Sequence, residues 1–364
     1  MKKLALFLAI VSLVPMLFAC DDNSNTSSAA TSDTSSEAIN SEVSEDVSNE
    51  VSAEESIVVE NPIDELEPSP MTIQKNDDRT YTITSDVFGG TYKRTFYKRD
   101  WGTWNIGGMF FTPEGGSQIT FVTASTDWEY VYRAGKTAST IDFCGGNHGS
   151  EKMLETHFYN GETGDELNLD DKQPVELNLL KIVETTQIYY FESDEDIFAN
   201  VTRTYYYNGT EEICECDYEI VQDTYFTLSY PTMFPISKDY GTRIVYNLEN
   251  GKTREWTSSE VGKADYSGPM DKGNAAMSVT IFGHKDPRYQ FNVAIYDKED
   301  MTDNFKNAEK TFYWDMNVGQ NKLYFSRFSS STPELVKTGT TWHTLASWEF
   351  NYVGDAVYEE SGTN

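Results

Sequence analysis

Polar and apolar residues alternate with a period of two through most of the chain beyond residue 71, as in Thr80-Tyr81-Thr82-Ile83-Thr84. Successive side chains of a strand point to opposite sides, so this pattern builds sheets with one face turned inward. Three Asn-Gly pairs stand between such runs and supply the positive φ angles of tight hairpins. Asn208-Gly209 joins 199–207 to 211–221, Asn250-Gly251 joins 243–248 to 252–257, and Asn160-Gly161 joins 155–159 to a polar return. Further strands are expected at 277–282, 289–296, 322–328 and 341–352, while 225–230 reads as a strand ending in a prolyl loop at Pro231 and Pro235. No long stretch repeats its apolar residues every 3.6 positions, and Asp300–Lys310 is the best short-helix candidate. Helix bundles, doubly wound α/β folds and α/β barrels need repeated amphipathic helices and are excluded. The pattern predicts an all-β fold: one large antiparallel β-sandwich, jelly-roll-like or supersandwich, over residues 71–364.

Charge narrows the partners. Asp and Glu number 59 against 28 Lys and Arg, and the formal charge of −31 repels a phosphate backbone, so no nucleic-acid partner is expected. A hydrophobic fraction of 38% excludes a multi-pass membrane protein.

Met1-Lys2-Lys3 is followed by an apolar run over 4–18 and then Ala19-Cys20. That is the shape of a secretory leader, and the run is short for a membrane span. Leu17-Phe18-Ala19-Cys20 resembles the lipobox of bacterial lipoproteins, with Phe18 departing from the usual small or aliphatic residue. The resemblance implies that residues 1–20 are a signal peptide and that Cys20 is the lipidation site. The chain would then be exported and held by its lipid at the extracytoplasmic face of a bacterial membrane. Residues 21–70 hold 14 acidic residues, no Lys or Arg and no aromatic residue. Such a segment buries too little apolar surface to offset its ordering entropy, which predicts a disordered, acidic, Ser/Thr-rich tether.

Three further cysteines follow. Cys214 and Cys216 share one face of an expected strand, so either could pair with Cys144, or all three could be buried thiols. Acidic clusters at Asp165-Glu166, Asp170-Asp171, 192–196 and 297–303 offer oxygen ligands suited to calcium, but none has the EF-hand spacing. They read as solvated loops. No cofactor is expected, and calcium is the one candidate.

The segment least like scaffolding is Phe143-Cys144-Gly145-Gly146-Asn147-His148-Gly149-Ser150-Glu151, where three glycines let the backbone turn sharply around an imidazole. His148-Gly149-Ser150-Glu151 is similar to the HxxE zinc pair of carboxypeptidase-like amidohydrolases, which would make His148 and Glu151 metal ligands with His284 as a third. That family is α/β, against the pattern here. In size and Tyr content the chain is also similar to polysaccharide lyases and mutarotase-like supersandwiches, an analogy of fold and composition rather than a motif. It implies His148 as a base, with Arg133, Arg203 and His284 as helpers. Trp101, Trp104, Trp128, Tyr130 and Tyr132 are candidates for stacking on sugar rings, or else core residues at alternate strand positions.

The expectation is a lipid-anchored envelope protein that acts on or binds carbohydrate, as a lyase or hydrolase or as a glycan-capture module. An adhesion protein with a protein partner is the third class. Outside leader and tether the chain still carries 19 net negative charges, so neutral glycans suit it at least as well as anionic ones.

Overall fold

A computed structural model describes residues 61–123, 130–248, 250–263, 270–274, 276–296, 311–326 and 328–354. The leader with Cys20, the tether up to residue 60, Trp128, the acidic run 297–303 and the helix candidate Asp300–Lys310 lie outside the described residues. The described residues are nearly all β, with 61% in strands and 2% helical, and their several antiparallel sheets make a sandwich-like fold.

The first sheet is made of β1 (Met71–Asp77), β2 (Thr80–Val87), β3 (Gly90–Lys98), β4 (Trp104–Pro113) and β5 (Ile119–Val122), with β9 (Val175–Leu177) added beside β1. A small sheet contains β6 (Val131–Gly135), β7 (Asp142–Cys144), β13 (Thr224–Tyr230) and β22 (Phe328–Val336). A second small sheet contains β14 (Thr232–Ser237), β17 (Met270–Asn274), β20 (Thr311–Trp314) and β21 (Gln320–Phe325). The remaining nine strands form the largest sheet. They are β8 (Glu151–Asn160), β10 (Leu180–Tyr189), β11 (Ile197–Tyr207), β12 (Glu211–Ile220) and β15 (Arg243–Leu248). To these are added β16 (Thr253–Thr257), β18 (Ala276–Phe282), β19 (Tyr289–Ile295) and β23 (Thr341–Tyr352). Their spatial order is β16-β15-β18-β19-β23-β12-β11-β10-β8.

One face of the nine-stranded sheet is the floor of the core, and the other three sheets cover it. Tyr81 and Phe96 of the six-stranded sheet pack on Phe158 and Tyr205, with ring centroids 4.4 and 5.0 Å apart. Tyr132 and Phe226 of one small sheet meet Tyr218 and Trp342, and Phe234 of the other meets Phe291. Period-two parity decides which residues go in. On β12, Cys214, Cys216 and Tyr218 are buried, while Glu215, Asp217 and Glu219 face out.

Two expectations are corrected. Residues 61–70 are part of the folded body rather than of the tether. A one-turn helix, α1 (Pro62–Glu65), is capped by the Asn61 side chain, and Leu66 packs against Ile213 and Leu345 on the outer face of the large sheet. In this stretch Pro62 and Leu66 are buried and Ile63 packs against Leu66's cluster. The prolyl loop at 231–235 is instead strand β14. Pro235 is tolerated there because, among the described residues, β14 is an edge strand bonded only to β21, so one side of its backbone needs no donor.

Cys144, Cys214 and Cys216 are buried thiols with no disulfide among them, and Cys214 Sγ lies 3.5 Å from Cys216 Sγ. Burial pushes the Cys144 thiol well up, which keeps it protonated and unreactive.

Candidate functional site

Strand β7 ends at Cys144 and the chain reverses through Gly145, Gly146 and Gly149, whose φ angles are +79°, +53° and +73°. The amide of Gly145 donates to the Gly149 carbonyl (2.8 Å) and the amide of His148 to the Gly145 carbonyl (3.1 Å), which closes the loop on itself. His148 is thereby held in solvent at the end of a short 3₁₀ turn. Its ring stacks on Phe143, with centroids 4.5 Å apart and an interplanar angle of 15°. The exposed Arg133 guanidinium lies 5.2 Å from the centroid of the same ring. Two of the expected site residues thus meet on one aromatic platform.

Three residues past His148, the chain turns the Glu151 carboxylate inward. Glu151 accepts a short hydrogen bond from the Tyr130 hydroxyl and lies 3.5 Å from Arg203 Nη2. The same nitrogen donates to Glu184 (2.8 Å), and Glu184 in turn accepts the backbone N–H of Trp104 (2.9 Å). All four side chains are sealed from solvent. Burial opposes the charge on Arg203, but Glu184, Tyr130 and Glu151 together hold its pKa well above that of an ordinary arginine, so it is a permanent cation. The cluster links the His148 loop and the start of β6 to β10 and β11 below and to β4 of the six-stranded sheet. It pins the seam where three sheets meet.

This geometry redistributes the expected residues. Arg203 is inside the seam and cannot touch a ligand bound at the surface. Glu151 faces inward to Arg203 while His148 faces outward to Phe143, so the two do not form the metal pair that the HxxE spacing implied. Tyr130, Tyr132 and Trp104 are buried among other rings, which leaves them no open face for a sugar. Trp101 is half-buried, with its ring across Gly149 of the His148 loop. His284 is exposed on a different turn, its amide bonded to Thr242 Oγ1 (3.2 Å). Glu184 was missed by sequence reasoning. Its signal is parity, since it shares a strand face with Leu180, Ile182 and Ile188.

Lys285, the residue after His284, lines a depression of about 580 Å³ between β5 of the six-stranded sheet and β14 and β21 of the small sheet. Phe121, Val122 and Ile236 form its apolar floor. Gln118, Thr120, Ser237 and Gln320 bring amides and hydroxyls to its walls. Lys285 bonds Asp239 (2.9 Å) and lies 5.7 Å from the centroid of Tyr240, whose ring meets Phe121 edge-on. A second cleft of about 800 Å³ lies along β1 and β2 and is bordered by Asp86, Thr91, Glu176 and Asn178.

The two dense basic pairs of the sequence, Lys93-Arg94 and Lys98-Arg99, make no cationic groove among the described residues, since Arg94 and Arg99 are both buried. Arg94 is buried against Glu212 (3.7 Å), and Lys93 leans on Phe110 and Gln118. Several loop acids are paired with bases, among them Asp170 with Lys75, Glu166 with His157 and Asp196 with Lys136.

No protein-family model matches the chain, and no curated protein matches it. Solved structures similar to it include the galactosidase domain of an α-galactosidase–sucrose kinase, AgaSK, at 7% identity over 77% of this chain and 42% of that one, with a TM-score of 0.42. The GH36 α-galactosidase AgaB from Geobacillus stearothermophilus is 9% identical over 77% of this chain and 41% of its own, with a TM-score of 0.44. A galactose 1-epimerase from Lactobacillus acidophilus is 8% identical over 79% of this chain and 99% of its own, with a TM-score of 0.33. The chain thus spans about two fifths of the length of the two galactosidases. Similarity this distant carries no functional argument, and the site's own geometry has to.

Proposed function

We propose that this protein is a lipid-anchored carbohydrate-binding protein of the bacterial cell envelope, and that neutral sugars occupy the cleft between β5 and β14. The observation that carries this reading is the composition of that cleft: an apolar floor, amide and hydroxyl walls, and one ammonium–carboxylate pair at the mouth. Sugar rings present apolar faces and hydroxyl edges, and pockets that bind them join a hydrophobic surface to a few placed polar groups. Capture without bond cleavage fits best, because His148, Arg203 and His284 stand on separate elements and Arg203 is sealed. A glycan array probed with the protein, followed by calorimetry of the best ligand, tests this. Gln118→Ala and Gln320→Ala are expected to weaken binding about tenfold each, which is the loss of roughly one hydrogen bond to a neutral partner. Unchanged affinity in both would remove the cleft from the proposal.

A catalytic reading is kept alive by the exposed imidazole and guanidinium that share Phe143. If it holds, a cleavage screen on uronate-containing polysaccharides will show turnover that His148→Ala abolishes. The lipid anchor is tested separately: Cys20→Ser is expected to prevent incorporation of labelled palmitate and release the protein from the membrane fraction.

A further inference from the structure

We propose that Glu215, Asp217 and His343 form a binding site for one divalent transition metal of the zinc class on the outer face of the nine-stranded sheet. Glu215 and Asp217 are two residues apart on β12 and point to the same side, and His343 is the cross-strand partner of Asp217 on β23. One donor atom from each lies within 4.8 Å of the other two, and among the described residues this is the only such group of three. His343 Nδ1 is 2.8 Å from Asp217 Oδ1 and Nε2 is 3.9 Å from Glu215 Oε1, so both carboxylates border one imidazole.

Three further observations favour a cation here. Among the described residues no Lys or Arg forms an ion pair with Glu215 or Asp217, although the protein carries a net charge of −31. The side chains are open to solvent, at 28% for Glu215, 62% for Asp217 and 40% for His343, so water can complete the coordination shell. The strands beneath are fixed, because β12 is hydrogen-bonded on both sides and the inward side chains Cys216 and Tyr218 of β12 and Trp342 of β23 are buried in the core. An imidazole nitrogen with two carboxylate oxygens suits zinc and its neighbours, whereas calcium takes oxygen ligands only.

His157 provides the internal control. It also stands between two carboxylates, Glu166 at 2.8 Å and Glu155 at 3.6 Å, but that group is not among those whose donors converge.

The test is calorimetric titration of the full chain with zinc chloride, with calcium chloride in parallel, and visible spectroscopy of the cobalt(II)-loaded protein. One zinc per chain is expected, with a rise in Tm on zinc addition. His343→Ala, Asp217→Asn and Glu215→Gln should each weaken zinc at least tenfold and abolish the Tm rise, while His157→Ala leaves both unchanged. Cobalt should give bands of nitrogen and oxygen ligands with no thiolate charge-transfer band, which separates this site from Cys144, Cys214 and Cys216. Equal zinc affinity in wild type and His343→Ala, a thiolate band, or calcium binding as tight as zinc would overturn the proposal.

Discussion

A single guanidinium nitrogen of Arg203 faces two carboxylates, and none of the three groups reaches solvent. Removing the cation leaves Glu151 and Glu184 buried together without compensation. Arg203→Met is therefore expected to cost about 3–5 kcal/mol by urea denaturation, and the triple change with Glu151→Gln and Glu184→Gln to regain most of it. A second residue-scale effect lies at Glu211. Burial, with Glu349 nearby, raises its carboxyl from 4.5 to about 7 in the fold. The native state then holds a proton that the unfolded chain has lost, so stability falls as pH rises from about 4.5 to about 7 and is flat above. Glu211→Gln should flatten that segment of the Tm–pH curve. Arg203 was visible in the sequence, but not as a buried residue. Arg203 shares its strand parity with Tyr205 and Tyr207, and Arg94 shares its parity with Tyr92 and Phe96. A charged residue on the inward parity of an aromatic strand is the signal that parity alone could have given.

Hairpins were the most legible elements. Asn208-Gly209 and Asn250-Gly251 join β11 to β12 and β15 to β16 within a residue or two of the expected ends, but only Gly251 takes the expected positive φ (+74°), while Asn208 turns the chain by accepting the amides of Thr210 and Glu211 on its Oδ1. After Asn160 the chain does turn, but the positive φ falls on Gly164 rather than on Gly161, the return makes an isolated bridge from Tyr159 to Glu166, and β8 pairs with β10 instead. The acid-rich return sends only Leu167 and Leu169 to the core, whereas β10 carries Leu180, Ile182 and Ile188 inward as a continuous strand face. In the His148 loop the glycines matter individually. A Cβ at Gly145 would sit 2.9 Å from the Tyr130 ring at a φ of +79°. Gly145→Ala should therefore cost about 1–3 kcal/mol in thermal or urea unfolding and disturb the near-ultraviolet signal of the buried tyrosines. The loop's exposed imidazole could be anticipated from its glycines. Its separation from Glu151 could not, since spacing does not reveal that strand β8 begins at Glu151.

At the scale of the whole molecule, residues from all four sheets belong to one continuous core. Unfolding should accordingly be a single transition, with far-ultraviolet dichroism and tryptophan fluorescence coincident in urea; separate midpoints would show that the small sheets melt on their own. Alternation foretold strands but not their partners, and so not the division into four sheets. The pairing of β12 with β23 joins positions as far apart as Asp217 and His343, 126 residues, and no local pattern encodes it. That pairing sets a condition on biosynthesis. Because β23 lies between β12 and β19, a nascent polypeptide that has not passed residue 352 holds two incomplete halves with facing unsatisfied edges. Each edge is a template for pairing with another chain. Closure of the sheet must wait for this late keystone, and a polypeptide stopped short of Thr341 should aggregate where the longer one folds.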